Sequence, residues 1–152
     1  MPITVAESLF IDTNILVFAN VAEAPLHKAA LDNIKKHKDS GCNLWISSQV
    51  LREYIAVRSR HELFRRSSHL GMLIERVRFF ESAFNVAYDN PSTLENLLML
   101  IKKVPVGGKQ IHDANIVATM LSHGIQHLLT DNVEDFERFS KYIKVIPLRS
   151  QQ

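Results

Sequence analysis

Cysteine is nearly absent: Cys42 is the only one in 152 residues, so an internal disulfide is excluded and a reducing, cytoplasmic setting is expected. Glycine and proline number five each and lie scattered, which leaves no flexible or proline-rich linker. Internal repeats and low-complexity tracts are missing as well. The expected organisation is one domain over residues 1–152. Neither sign of charge prevails, because 18 Lys and Arg face 16 Asp and Glu for a net charge of +2. That is too little for a global basic field aimed at nucleic acid, so any such chemistry must come from local residues. No apolar run approaches the roughly 18 residues of a membrane span, and the Met1-Pro2-Ile3-Thr4 start carries no basic region ahead of an apolar core. A soluble, unprocessed chain without a membrane partner is expected. The seven histidines fall into no zinc-ligand spacing, and Cys42 has no neighbouring partner.

What the chain does have is a hydrophobic content of 46%, enough for a sizeable core, arranged as short apolar strands between helical patterns. Ser8 to Ile11 reads as a buried strand, followed by a helix on Ile15 to Ala19 that Thr13 or Asn14 can cap. A longer helical pattern starts around Pro25. Asn43 to Ile46 is a second strand, and the Ser47-Ser48 pair can cap the helix carrying Val50, Leu51, Tyr54, Ile55 and Val57. Another helix is predicted from about Ser67 to Ser82, then a weak strand at Phe84 to Ala87 and a helix opened by Pro91. After the Pro105 to Gly108 loop, a helix on Ile111, Ala114, Val117, Ala118 and Leu121 ends near Gly124. His127 to Thr130 and Ile143 to Ile146 are the last strands. The alternation predicts a parallel sheet covered on both faces, with any ligand crevice beyond the carboxyl ends of the strands.

Asp12 interrupts the greasy segment Ser8 to Ala19, and a lone buried carboxylate there would be costly. A break at Asp12 places it at that sheet edge. Three further acids border core-packing segments in the same way: Glu53 in Val50-Leu-Arg-Glu53-Tyr54, Asp113 in Ile111-His-Asp113-Ala-Asn115, and Asp131 in Leu129-Thr-Asp131-Asn132. Were the four to converge, their repulsion would call for a hard divalent cation with oxygen ligands. Such an ion supports phosphodiester hydrolysis by activated water without a Ser or Cys nucleophile. Each acid also has a purely structural reading. Asp12 can cap the following helix, Glu53 can meet neighbouring arginines, and Asp113 suits a helix N-terminus. Asp131 with Glu134 has the form of a capping box, and Asn132 with Asp135 offers the same one residue later.

Taken together, these residues resemble the PIN domain, and within it the VapC-type ribonuclease toxins of toxin–antitoxin pairs. Phe10-Ile-Asp12-Thr-Asn14 resembles the first acidic motif, Glu53 after Ser47-Ser48 the second, Lys109-Gln-Ile-His-Asp113-Ala-Asn-Ile-Val-Ala118 the third and Leu128-Leu-Thr-Asp131-Asn-Val-Glu-Asp-Phe136 the fourth. The resemblance implies a three-layer α/β/α fold with a central, mostly parallel sheet of about five short strands. It also implies a metal-dependent endoribonuclease in which Asp12, Glu53, Asp113 and Asp131 ligate or position Mg²⁺ or Mn²⁺. Asp12 would be the central ligand with Asp113 beside it. Thr13, Asn14 and Thr130 would orient these carboxylates or the attacking water. A homodimer and a cognate antitoxin are further implications of the family.

For the RNA itself, Arg58, Arg65 and Arg66 are candidate phosphate contacts, with Tyr54, Phe64 and Phe79 near them for base stacking. The interleaved Glu62, Glu75 and Glu81 equally describe a solvated helix face. Lys109 is a further candidate, in a loop without P-loop spacing. The same acids would serve a DNA- or structure-specific nuclease, since no residue is an evident reader of the 2′-OH. A noncatalytic RNA- or protein-binding module and a phosphotransfer domain using Asp12 are the alternatives from other classes. Asn14 stands where a haloacid-dehalogenase-like phosphatase would carry a second Asp.

Overall fold

The computed structural model of the chain describes residues 7–60 and 67–149. Strand β1 spans Ser8–Ile11, β2 Asn43–Ser47, β3 Asn85–Ala87, β4 His127–Thr130 and β5 Lys144–Pro147. All four pairings between them are parallel, in the order β3-β2-β1-β4-β5. Leu9, Phe10 and Ile11 in β1 and Leu128, Leu129 and Thr130 in β4 are all buried. Consecutive strand residues point to opposite faces, so the central strands are covered on both sides and the fold is the three-layer α/β/α arrangement expected.

Among the described residues seven helices supply the covering layers: α1 Thr13–Asn20, α2 His27–Asp39, α3 Ser48–Ser59, α4 Ser67–Ala83, α5 Pro91–Lys103, α6 Gln110–Ser122 and the short α7 Val133–Phe136, which runs into a 3₁₀ turn at Glu137–Phe139. Local chemistry sets several of their ends. Ser47 caps α3 by accepting the Val50 N–H at 3.2 Å, as the serine pair suggested. Asn90 and Thr93 form a reciprocal capping box around Pro91 at the start of α5. Gly124 takes φ +66° after α6, a conformation glycine reaches without steric cost, and the Ile125 N–H returns to the Met120 carbonyl at 2.9 Å. Two starts differ from expectation. The second helix begins at His27 rather than around Pro25. The first helix begins at Thr13 because, of the caps the sequence offered, Asp12 rather than Thr13 or Asn14 is its N-cap.

The core gathers on both faces of the sheet around Phe10, Ile15, Leu16, Ile46, Val117 and Leu129. Strand order reverses between β1 and β4, the place where parallel sheets open a crevice at their carboxyl ends. Asp12 follows β1 directly and Asp131 follows β4 directly.

Candidate active site

Asp12 is 6% exposed and sits in a cage of donors. Its Oδ1 accepts the Thr13 N–H at 2.8 Å, and its Oδ2 accepts the Thr130 hydroxyl at 2.7 Å and the Asn14 amide at 3.3 Å. Its own N–H donates to the Leu129 carbonyl at 3.0 Å. Asn14 also ties the far side of the crevice, donating to Thr130 Oγ1 at 3.3 Å and accepting the Asp131 N–H at 3.2 Å. The capping bond therefore occupies one carboxylate oxygen without turning the group away from the crevice.

Glu53 is positioned by a chain of side chains. Thr13 donates its hydroxyl to Glu53 Oε2 at 2.8 Å, and buried Gln49 donates its amide to Glu53 Oε1 at 2.8 Å. The same amide reaches the His112 carbonyl at 2.9 Å, while Asn115 donates to Gln49 Oε1 at 2.7 Å. Helices α1, α3 and α6 are thus joined through Glu53 and Gln49. Asp113, half-buried in the first turn of α6, accepts no hydrogen bond among the described residues.

Asp12, Glu53 and Asp113 line one cavity of about 400 Å³. Burial pushes the Asp12 carboxyl up to about 6 against the hydrogen bonds of Thr130 and Thr13, with Glu53 and Asp113 adding repulsion. Burial likewise raises Asp113 to about 6, with Asp135 and Glu53 adding repulsion and Arg138 and His112 opposing it. Thr13, Asn14 and Arg60 share the lining, and Val17, Phe18 and Val57 make it partly apolar.

Asp131 lies next door. It lines an adjoining cavity of about 410 Å³ with Glu134, Asp135 and Arg149, and Asn132 borders both spaces. Arg149 grips its carboxylate with two bonds, Nε to Oδ1 at 2.9 Å and Nη2 to Oδ2 at 3.2 Å. Neither capping-box reading holds, because α7 is preceded by Asn132 and neither residue makes a side-chain cap bond there.

The candidate RNA contacts are placed less uniformly. Arg58 is half-buried and hydrogen-bonds Tyr54 one turn earlier, whereas Arg60 at the end of α3 reaches the acid cavity. Lys109 is exposed in front of α6 and outside the cavity lining. Arg65 and Arg66 lie outside the described residues, as does Phe64. Sequence reasoning missed Gln49, Asn115, Asp135 and Arg149. The only local signal among them was Gln49, one turn before Glu53 on the same helix face.

Among the described residues, no three acid, histidine or cysteine side chains close into a ready metal cage. The donor chemistry nevertheless fits a hard cation. Asp12 and Asp113 present oxygen donors to one cavity and repel each other there, and magnesium commonly takes one or two carboxylates and fills the rest of its shell with water.

In a parallel α/β sheet, a cavity at the topological switch with strand-end acids facing it is where a ligand site is expected. The chain belongs to the PIN domain family, whose sequence model matches residues 9–142. No curated protein matches it in sequence. Among solved structures it is similar to VapBC-1 from nontypeable Haemophilus influenzae, at 20% identity and TM-score 0.65, covering 93% of this chain and 98% of that one. It is similar to VapC20 from Mycobacterium tuberculosis, a Sarcin-Ricin loop cleaving toxin, at 17% identity and TM-score 0.63, covering 91% and 99%. FitAcB from Neisseria gonorrhoeae has TM-score 0.70 at 12% identity, covering 92% and 97%. Among the described residues no helix is long and apolar enough to cross a membrane.

Proposed function

We propose that the chain is a metal-dependent endoribonuclease, one PIN domain acting as the toxin of a toxin–antitoxin pair. The observation that carries this reading is the convergence of Asp12, Glu53 and Asp113, drawn from three separate elements, on one partly apolar cavity. Support for the toxin comes from the family and from the likeness to VapBC structures; an antitoxin partner, a homodimer and a cytoplasmic location follow from the same reading.

Asp12 and Asp113 would hold Mg²⁺ or Mn²⁺, with Glu53 and Asp131 completing the set through water. A bound divalent ion supplies Lewis acidity at a phosphoryl oxygen and a water acidic enough to attack phosphorus. The chain's own residues do the positioning. Thr130 and Asn14 fix the Asp12 carboxylate, and Thr13 with Gln49 fixes Glu53 at the rim. Glu53, whose oxygens accept from Thr13 and Gln49, would orient the attacking water from that rim.

Asp12→Asn keeps the shape and most of the hydrogen bonds while removing the charge. Wild type should cleave single-stranded RNA with Mg²⁺ or Mn²⁺ and stop in EDTA, and Asp12→Asn should lose at least 100-fold in rate, roughly 3 kcal/mol of transition-state stabilisation, while still melting cooperatively. Equal cleavage by a folded variant would remove Asp12 from the mechanism.

A further inference from the structure

Away from the acid cavity the surface changes sign. Lys103 at the end of α5, Arg138 in the 3₁₀ turn, and Lys141 and Tyr142 just after it line a cleft of about 560 Å³ with Val104 and Pro105. None of the side chains lining it is acidic. Lys103, Arg138 and Lys141 form no salt bridge among the described residues, whereas Lys28, Lys35, Arg78 and Arg149 are all paired with carboxylates.

Both walls of this cleft are close in sequence to segments of the candidate active site. The segment Lys103 to Pro105 opens the loop that leads into α6 and Asp113. Arg138 lies three residues after Asp135, and its charge is felt at Asp113. The segment from Asp131 to Tyr142 is two-sided. It turns Glu134, Asp135 and Glu137 into the cavity beside Asp131, and Arg138 and Lys141 into the cleft. An acid-lined site repels a polyanion, so a strand held there needs cations at its border. Tyr142, partly buried against the core, offers a ring held in place, and aromatic rings at basic grooves stack bases without sequence preference.

We propose that the Lys103–Arg138–Lys141–Tyr142 cleft is a subsite for the phosphate backbone of single-stranded RNA, holding the nucleotides that flank the bond at the acid cavity. The strand's identity as RNA rests on the nuclease reading above; the cationic cleft itself does not. Binding here would align the scissile phosphate beside Asp113 and offset the repulsion of the site acids. Lys109, on the same α5–α6 loop, would extend the track.

The test is equilibrium binding of a fluorescein-labelled single-stranded RNA in EDTA, where no metal-dependent cleavage occurs, across a salt series. Wild type is compared with Lys103→Gln/Lys141→Gln and with Lys28→Gln/Lys35→Gln, which removes the same charge from α2. Each phosphate contact to a single strand contributes about 0.7 to the slope of log affinity against log salt. The cleft variant should therefore bind about tenfold or more weakly, with a slope shallower by about 1.4, at an unchanged melting temperature. The α2 variant should bind like wild type.

Equal affinity and slope for wild type and the cleft variant would overturn the subsite, as would no RNA binding by wild type or an equal loss in the α2 variant. A DNA strand of the same sequence bound more tightly than the RNA would overturn the assignment to RNA. Weakened binding in the cleft variant, in a protein that nevertheless fails to cleave with Mn²⁺, would keep the subsite and reject the nuclease reading.

Discussion

At Asp12, burial and hydrogen bonding pull in opposite directions, and burial prevails: the carboxyl is raised to about 6. The linkage has a definite sign. In the unfolded chain this group titrates near 3.8, so between about pH 4 and 6 the folded state holds a proton that the unfolded state has released. Its contribution to stability is present below the unfolded value and is lost as pH rises through the folded one. Asp113, raised for the same leading reason, acts in the same direction. Asp12→Asn cannot release that proton. Without metal, the stability of the variant relative to wild type should rise by about 2 kcal/mol between pH 4 and 7, and its melting temperature with it, while any mismatch with the Thr13 N–H shifts the variant equally at every pH. A melting difference that stays flat over that range would contradict the buried, repelled carboxylate. Asp131 poses a different question, because Arg149 already neutralises it. The arginine is 66% exposed, so Arg149→Gln should cost under about 1 kcal/mol. If Asp131 serves the cation, releasing it should tighten Mn²⁺ binding in a calorimetric titration, and unchanged affinity would show that it does not.

At the scale of elements, the Asn115–Gln49–Glu53–Thr13 chain does what no single helix could: it fixes α6 and α1 against α3 at the position of the site. Gln49 is 4% exposed and makes three hydrogen bonds, two of them in this chain and one to the His112 carbonyl. Gln49→Leu keeps similar bulk but leaves the Asn115 amide and the His112 carbonyl without their partner, at a cost of about 1–3 kcal/mol. It should also slow cleavage by loosening Glu53. A denaturant melt combined with a cleavage assay checks both, and a fully active, fully stable variant would show the chain to be dispensable. Elements whose causes are local were legible in the sequence. A strand followed at once by an acid marks Asp12 and Asp131, Ser47 announces α3, and Pro91 opens α5. Long-range pairings were not. Asp131 and Glu134 carry the pattern of a capping box, yet Arg149, 18 residues away, takes the carboxylate. Arg58 and Arg60 look alike in sequence, but Arg58 lies one turn beyond Tyr54 on a helix face that packs inward, while Arg60, at the helix end, reaches the acid cavity. Gln49 and Asn115 are ordinary helical polar residues until α3 and α6 are brought together.

For the whole molecule, the strand order β3-β2-β1-β4-β5 turns local features into a site. Reversal at β1 and β4 brings residues 118 positions apart into the 2.7 Å bond between Thr130 and Asp12. The end of β1 and helices α3 and α6 hold Asp12, Glu53 and Asp113 at one cavity, so the fold carries their repulsion as a standing cost. A ligand that binds only the folded state adds RT ln(1 + [L]/Kd) to stability, about 2.7 kcal/mol at a hundredfold excess over Kd. For a chain of this length each kcal/mol raises the midpoint by roughly 2–4 °C. Saturating Mg²⁺ or Mn²⁺ should therefore raise the melting temperature by about 5–10 °C over the EDTA-treated protein. The increment should collapse in Asp113→Asn, which loses a ligand that accepts no hydrogen bond among the described residues and so leaves local structure intact. Calcium, equally charged but content with a looser oxygen shell, separates charge relief from a fitted site. If it stabilises wild type as much as magnesium and manganese do, the cavity merely screens its acids. If it stabilises less, the carboxylates from β1 and α6 select a smaller ion, as a site that activates water requires.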